Sequence, residues 1–262
     1  VTSVKGSAKI QEPGAKAPRI VEAADPITEG TRITVGESGS VSFLFCPESF
    51  AAQVGAGADV TFTAKAASVN KGVVSQKHNV PYCRIPAMES VNAEHGPGSK
   101  DHVGGTGIRG DSSLVLLSPV RTHVELTGVT LSWNPTMGAS SYLLQIKSEK
   151  GDVVWEGEVK DSKIVLPDSL QLQPDTLHRW RVTAKSGEDV LGDASTWFKT
   201  LSAIDQMRLD KIVSAFSSTP AQDEWTKHFM LGSLYEELDM KERASREYGQ
   251  IHSAVKINNR KF

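Results

Sequence analysis

The residues Gly105-Thr-Gly107-Ile-Arg-Gly110 match GxGxxG, the spacing at which a glycine-rich turn lays backbone N–H groups on a pyrophosphate. That chemistry needs a strand before the turn and a helix after it, so that the helix N-terminus meets the phosphates. Here a polar loop precedes the glycines and the apolar run Leu114 to Leu117 follows, so no nucleotide site is expected. The overlapping Arg109-Gly110-Asp111 is an RGD tripeptide, which a glycine-rich stretch produces easily by chance.

The histidines are His78, His95, His102, His123, His178, His228 and His252. The nearest grouping pairs Glu94-His95 with Asp101-His102. A structural zinc site takes convergent ligands with fixed geometry, usually from structured elements, whereas these residues lie in a polar loop. Neither a metal nor another cofactor is expected. HExxH, GxSxG, a P-loop, an EF-hand and a CxxC pair are all absent from the sequence. Carboxylate pairs drawn from distant strands escape a sequence search, but small β modules seldom supply both the cleft and the shell that supports it. The expectation is a protein that is not an enzyme.

Two cysteines remain, Cys46 after the apolar run Val41 to Phe45 and Cys83 within Pro81-Tyr-Cys-Arg-Ile-Pro86. A disulfide between them would pin an irregular segment onto a strand, and closing a loop of that size contributes about 4 kcal/mol. It also implies an oxidising compartment; two buried free thiols would imply the cytosol. The disulfide is the preferred reading.

The 262 residues suit two or three domains, with 39% hydrophobic and 23% charged residues, as in globular chains. A net charge of −2 without long runs of either sign argues against nucleic acid or an anionic membrane surface as a standing partner. No segment is apolar for long enough to span a membrane. The chain does not open with a signal-peptide pattern, so an export signal is expected to have been removed from it.

Residues 1–85 read as short strands between turn signals, an all-β unit. Thr31–Val35 and Val41–Phe45 flank Gly36–Gly39 and read as a hairpin, and Phe50–Val54 with Val60–Thr63 around Gly55–Gly57 read as another. The order Val4-x-Gly6, then Ile27-Thr-x-Gly30-Thr-x-Ile33-x-Val35-Gly36, then Val41-x-Phe43-x-Phe45 resembles the FecR-type domain of bacterial envelope proteins. No membrane helix or cytoplasmic segment accompanies it, so the transmembrane signalling of the iron-responsive members is not carried over. Residues 86–113 are rich in glycine and proline and read as a linker or long loop.

From 114 to 201 strand-like runs recur at Leu131-Ser-Trp133, Ser141–Ile146, Val153–Trp155, Ile164–Leu166, Leu172–Ala184 and Trp197–Thr200. This rhythm suits a β-sandwich. Leu131-x-Trp133-x-Pro135, Leu172-x-Pro174 and Trp180-x-Val182 make the stretch similar to a fibronectin type III module. His178 stands where that family places the tyrosine of its corner hydrogen bond, and an imidazole there would make a similar bond.

After Leu201 the apolar period lengthens to three or four residues. Leu209, Ile212, Val213 and Phe216 mark one helix, Trp225 to Leu238 a second, and Ala244, Tyr248 and Ile251 a third. Leu231-Gly232-x-x-Tyr235 followed by Ala244 and Tyr248 resembles a tetratricopeptide repeat. One repeat cannot bury its own face, so it must pack on a neighbour.

Strand parity puts Trp133 and Trp180 in the sandwich core. The fibronectin-like resemblance implies that Leu143, Gln145, Arg179, Arg181 and Trp197 project from the outer face of one sheet, either as a recognition surface or as the seat of the helical tail. The tail is the preferred occupant, docking through Leu209, Ile212, Phe216, Trp225 and Phe229 near Trp197 and Phe198.

The fold class is therefore mainly β: a FecR-like unit over 1–85, a linker over 86–113, a fibronectin-like sandwich over 114–201 and a helical segment over 202–262. The function expected is protein–protein interaction or scaffolding in the periplasm or outside the cell. A carbohydrate- or peptidoglycan-binding module is the alternative; it would expose aromatic side chains in a row on one face.

Overall fold

The computed structural model describes residues 1–22, 25–84, 114–167, 169–218 and 224–258. The stretch holding the GxGxxG and RGD matches, His95 and His102 lies outside the described residues. Two compact units make up the chain. One comprises Val1–His95, Lys211–Leu234 and Ala244–Phe262; the other comprises Gly96–Asp210 and Tyr235–Arg243. Each combines β-strands with helical residues.

In the first unit nine strands form two antiparallel sheets. They are β1 (Ser3–Lys5), β2 (Ala8–Gln11), β3 (Arg19–Ile20), β4 (Arg32–Val35), β5 (Ser40–Phe45), β6 (Phe50–Val54), β7 (Asp59–Phe62), β8 (Ala67–Lys71) and β9 (Val74–Asn79). One sheet runs β1-β5-β6-β9 and the other β3-β2-β4-β7-β8. Alternation along β4 and β7 turns Ile33, Val35, Val60 and Phe62 inward, and β5 supplies Val41 and Phe43 from the opposing sheet. Phe43 and Phe62 meet edge to face at 5.0 Å across this core.

The two expected hairpins do not form. β4 pairs with β2 and β7, whereas β5 pairs with β1 and β6, so neither anticipated turn joins two paired strands. Gly36–Gly39 and Gly55–Gly57 instead carry the chain from one sheet to the other. A Cβ on Gly39 would stand 2.5 Å from the Ser7 carbonyl oxygen, which explains the glycine at that crossing. The hairpin within the first sheet joins β5 to β6 through the 3₁₀ turn Cys46–Glu48.

The second unit holds a two-sheet sandwich. Its strands are β10 (Leu116–Ser118), β11 (Thr122–Val124), β12 (Thr130–Trp133), β13 (Ser141–Ser148), β14 (Val153–Val159), β15 (Lys163–Val165), β16 (Leu177–Ser186) and β17 (Asp189–Thr200). The sheets are β10-β12-β15 and β11-β17-β16-β13-β14. β11 is an element that the sequence pattern did not reveal; it lies parallel to β17, Thr122 opposite Phe198. Trp133, Leu144, Ile146, Trp180, Val182 and Phe198 fill the core. Trp133 and Trp180 are both buried, as their parity requires, and the Trp180 indole N–H donates to the Pro119 carbonyl at 2.9 Å.

Three helices follow: α1 (Ala203–Ser218), α2 (Glu224–Glu237) and α3 (Lys241–Asn258). Ser202 caps α1 by accepting the Asp205 N–H at 3.1 Å, while its hydroxyl donates to the Asp205 carboxylate. Gly232 in α2 lets α3 close in, because a Cβ there would lie 2.6 Å from Tyr248 Cδ1. The molecule is thus mainly β, with a helical segment at its C-terminal end.

Candidate functional site

The outer face of the five-stranded sheet that holds β16 gathers the residues expected there. Arg179 lies opposite Trp197 on β17 and opposite Lys147 on β13, giving the cross-strand row Trp197–Arg179–Lys147. Two residues along the strand, Arg181 lies opposite Ser195 and Gln145. One step further, Thr183 lies opposite Asp193 and Leu143. Leu143, Arg179, Arg181 and Trp197 therefore share one face over three adjacent strands. Lys147 belongs to it too, two residues beyond Gln145, and the same parity count would have found it.

Electrostatics differ from row to row. Arg181 donates from Nε to the Asp193 carboxylate at 2.9 Å, and its Nη2 lies 2.8 Å from the same group. Gln145 donates to Glu156 at 2.7 Å, and the Ser141 hydroxyl donates to Glu158 at 2.5 Å. At the edge of the face, Lys199 pairs with Asp175 at 2.6 Å, which holds that carboxyl below its ordinary range. Arg179 and Lys147 have no side-chain hydrogen bond or ion pair among the described residues.

Of the two residues expected to seat the helical tail, Phe198 does not lie on this face. Arg179 and Arg181 are exposed, and Phe198 points into the sandwich core at 0% exposure, out of reach of any helix on the outer surface. Within this unit, Gln206 of α1 accepts the Leu126 N–H at 3.1 Å, and the turn between α2 and α3 fastens to strand β11. The His123 N–H and the Thr122 hydroxyl both reach the Asp239 carbonyl at 2.9 Å, and Lys241 N–H donates to Thr122 Oγ1 at 2.9 Å. Glu242 accepts from the Val120 N–H at 2.9 Å and from the Ser118 hydroxyl. Arg243 pairs with Glu125 at 2.6 Å. The apolar stripe itself is divided: Leu209 belongs to this unit, and Ile212, Phe216, Trp225 and Phe229 belong to the other.

His178 departs from the corner role that its position implies. The ring is buried at 2% exposure, tilted against Phe198 at 5.3 Å, and neither nitrogen makes a hydrogen bond among the described residues. Burial lowers its pKa below the ordinary 6.5, so the imidazole is neutral.

In the first unit, Cys46 and Cys83 are joined in a disulfide with their Cα atoms 5.2 Å apart. Cys83 lies in a strap whose neighbours hold α2: the Tyr82 hydroxyl donates to the Ser233 carbonyl at 3.4 Å, and the Ser233 hydroxyl donates to the Arg84 carbonyl at 3.1 Å. Among the described residues no three His, Cys, Asp or Glu side chains cluster as metal ligands, and no helix is long and apolar enough to cross a membrane.

No protein-family model matches the sequence, and no curated protein does. Among solved structures, the fn3 domain of human collagen alpha-1(XX) chain matches 40% of this chain and 95% of its own, at 20% identity and a TM-score of 0.28. CopC from Methylosinus trichosporium OB3b matches 34% of this chain and 95% of its own, at 18% identity and a TM-score of 0.24. Ruminococcus gnavus β-glucuronidase matches 76% of this chain and 43% of its own, at 11% identity and a TM-score of 0.25.

Proposed function

We propose that this chain is a non-enzymatic interaction or scaffolding protein of the bacterial cell envelope, acting in the periplasm or outside the cell. In this reading the first β unit is FecR-like, the sandwich is fibronectin type III-like, and α2 with α3 forms a tetratricopeptide-like pair. The strand order of the sandwich supports the fibronectin likeness, and the close packing of Gly232 on Tyr248 supports that of the helical pair. The Cys46–Cys83 disulfide supports an oxidising compartment.

One observation carries the functional part. Leu143, Arg179, Arg181 and Trp197 stand in register on an outer sheet face whose arginines remain exposed. Arginine and tryptophan are the side chains that most often anchor protein interfaces. A glycan platform would need aromatics in a row. Trp133 and Trp180 are in the core, Trp155 packs against that core, and Trp197 is the one aromatic in the three outward rows described above.

Photo-crosslinking tests the reading. A photoreactive amino acid at position 143, 181 or 197 should capture a discrete protein in envelope extracts. The same group at Val165, exposed on the opposite sheet, serves as the control. Identical products from Val165, or none from the three face positions, would refute the assignment.

A further inference from the structure

We infer that the row Trp197–Arg179–Lys147 docks a protein segment that presents a carboxylate beside an apolar side chain. This rests on the reading of the outer face as an interaction surface and adds the chemistry of its partner. Charges on this one surface are treated in two ways. Arg181, Gln145 and Ser141 each spend a donor on a carboxylate of the same face, Asp193, Glu156 or Glu158. Arg179 and Lys147 have no such acid among the described residues, and they are direct cross-strand neighbours. Their positive charges are therefore left for something outside the unit to neutralise.

The spacing narrows the class of ligand. Directly opposed residues stand about 5 Å apart at Cβ, so one carboxylate can lie between the Arg179 guanidinium and the Lys147 ammonium. Trp197 follows on the next strand at a similar interval and, being half-buried, offers apolar surface to an apolar neighbour of that carboxylate. The rest of the surface argues against a polyanion such as a sulfated glycan. Asp193, Glu156 and Glu158 lie in the adjoining rows, where they would repel the continuing charges of such a polymer. A protein partner carries isolated carboxylates and fits better.

Titration of the isotope-labelled full chain with an alternating glutamate–leucine hexapeptide, followed by amide NMR shifts, tests this. The shifts should saturate and map to Lys147, Arg179 and Trp197. The Lys147→Glu/Arg179→Glu variant should keep its thermal melt and bind at least about fivefold more weakly. An alternating lysine–leucine hexapeptide should give no saturable shifts at these residues. Shifts that map elsewhere, equal binding by the variant, or tighter binding of low-molecular-weight heparin than of the acidic peptide would overturn the inference. Photo-crosslinks from position 197 that persist in the charge-reversed variant would retain the interaction face and remove the carboxylate partner alone.

Discussion

The hydroxyls of Thr2 and Thr226 meet at 2.7 Å, although 224 residues separate them and both are buried. Thr2 also donates its backbone N–H to the Ser42 carbonyl at 2.9 Å, so the contact places α2 over the edge of the β1–β5 pair. Ser42 and Ala51, on the side of that sheet turned away from the Phe43 core, are themselves buried, at 3% exposure each. Small side chains there suit a close helix approach.

Replacing Thr226 by valine keeps the volume and removes the shared hydrogen bond, leaving the Thr2 hydroxyl buried without it. The cost should be about 1–3 kcal/mol by chemical denaturation. Thr2→Val on the same background should cost less than it does alone. Additive costs would show that the hydroxyl pair is not a coupled contact.

Gly232→Ala should destabilise the helical pair by about 1–3 kcal/mol, because the added methyl overlaps the Tyr248 ring, itself 1% exposed. Thermal melts followed by helical circular dichroism report the loss. Shrinking the ring with Tyr248→Leu in the Gly232→Ala background should recover part of it. An unchanged melt for Gly232→Ala alone would contradict the close packing.

The disulfide should govern how firmly α2 is held. Thiol titration of the unreduced, unfolded protein should find neither cysteine free. Reduction, or Cys83→Ser, removes about 4 kcal/mol of loop-closure restraint across the 37-residue separation. It also loosens the Tyr82–Arg84 strap, so amide exchange around Ser233 should speed up more than exchange in β16 of the other unit. Equal acceleration in both places would separate the strap from the helix.

His178 should make the sandwich acid-sensitive. Its folded pKa lies below the unfolded 6.5, so below that pH the unfolded chain takes up a proton that the folded one resists. The stability contribution is complete above pH 6.5 and is lost as the pH falls toward the folded pKa. His178→Phe should flatten that decline in urea melts of the sandwich; a slope identical to that of the parent would trace the sensitivity to other groups.

Local pattern was enough to find most of these elements. Alternation in Thr31–Val35 and Val41–Phe45, the buried parity of Trp133 and Trp180, and the switch to a helical period after Leu201 are properties of one segment at a time. Parity alone put Arg179 and Arg181 on one side of their strand; grouping them with Leu143 and Trp197 took the fibronectin-like arrangement, because parity says nothing about which strands are neighbours. The two cysteines likewise pointed to a disulfide by number and context.

Pairing is different, since two alternating strands around a glycine turn look alike whether they hydrogen-bond to each other or face across a core. Only the folded chain decided that β4 and β5 belong to opposite sheets, with Gly39 against Ser7. The seat of the helices was equally hidden: Thr226 meets Thr2, and Asp239 meets Thr122, through hydrogen bonds that leave no periodic trace in the sequence. Period and parity are short-range consequences of backbone geometry. Which surfaces meet depends on shape and polar complementarity between residues far apart along the chain, and these exist only once the elements have assembled.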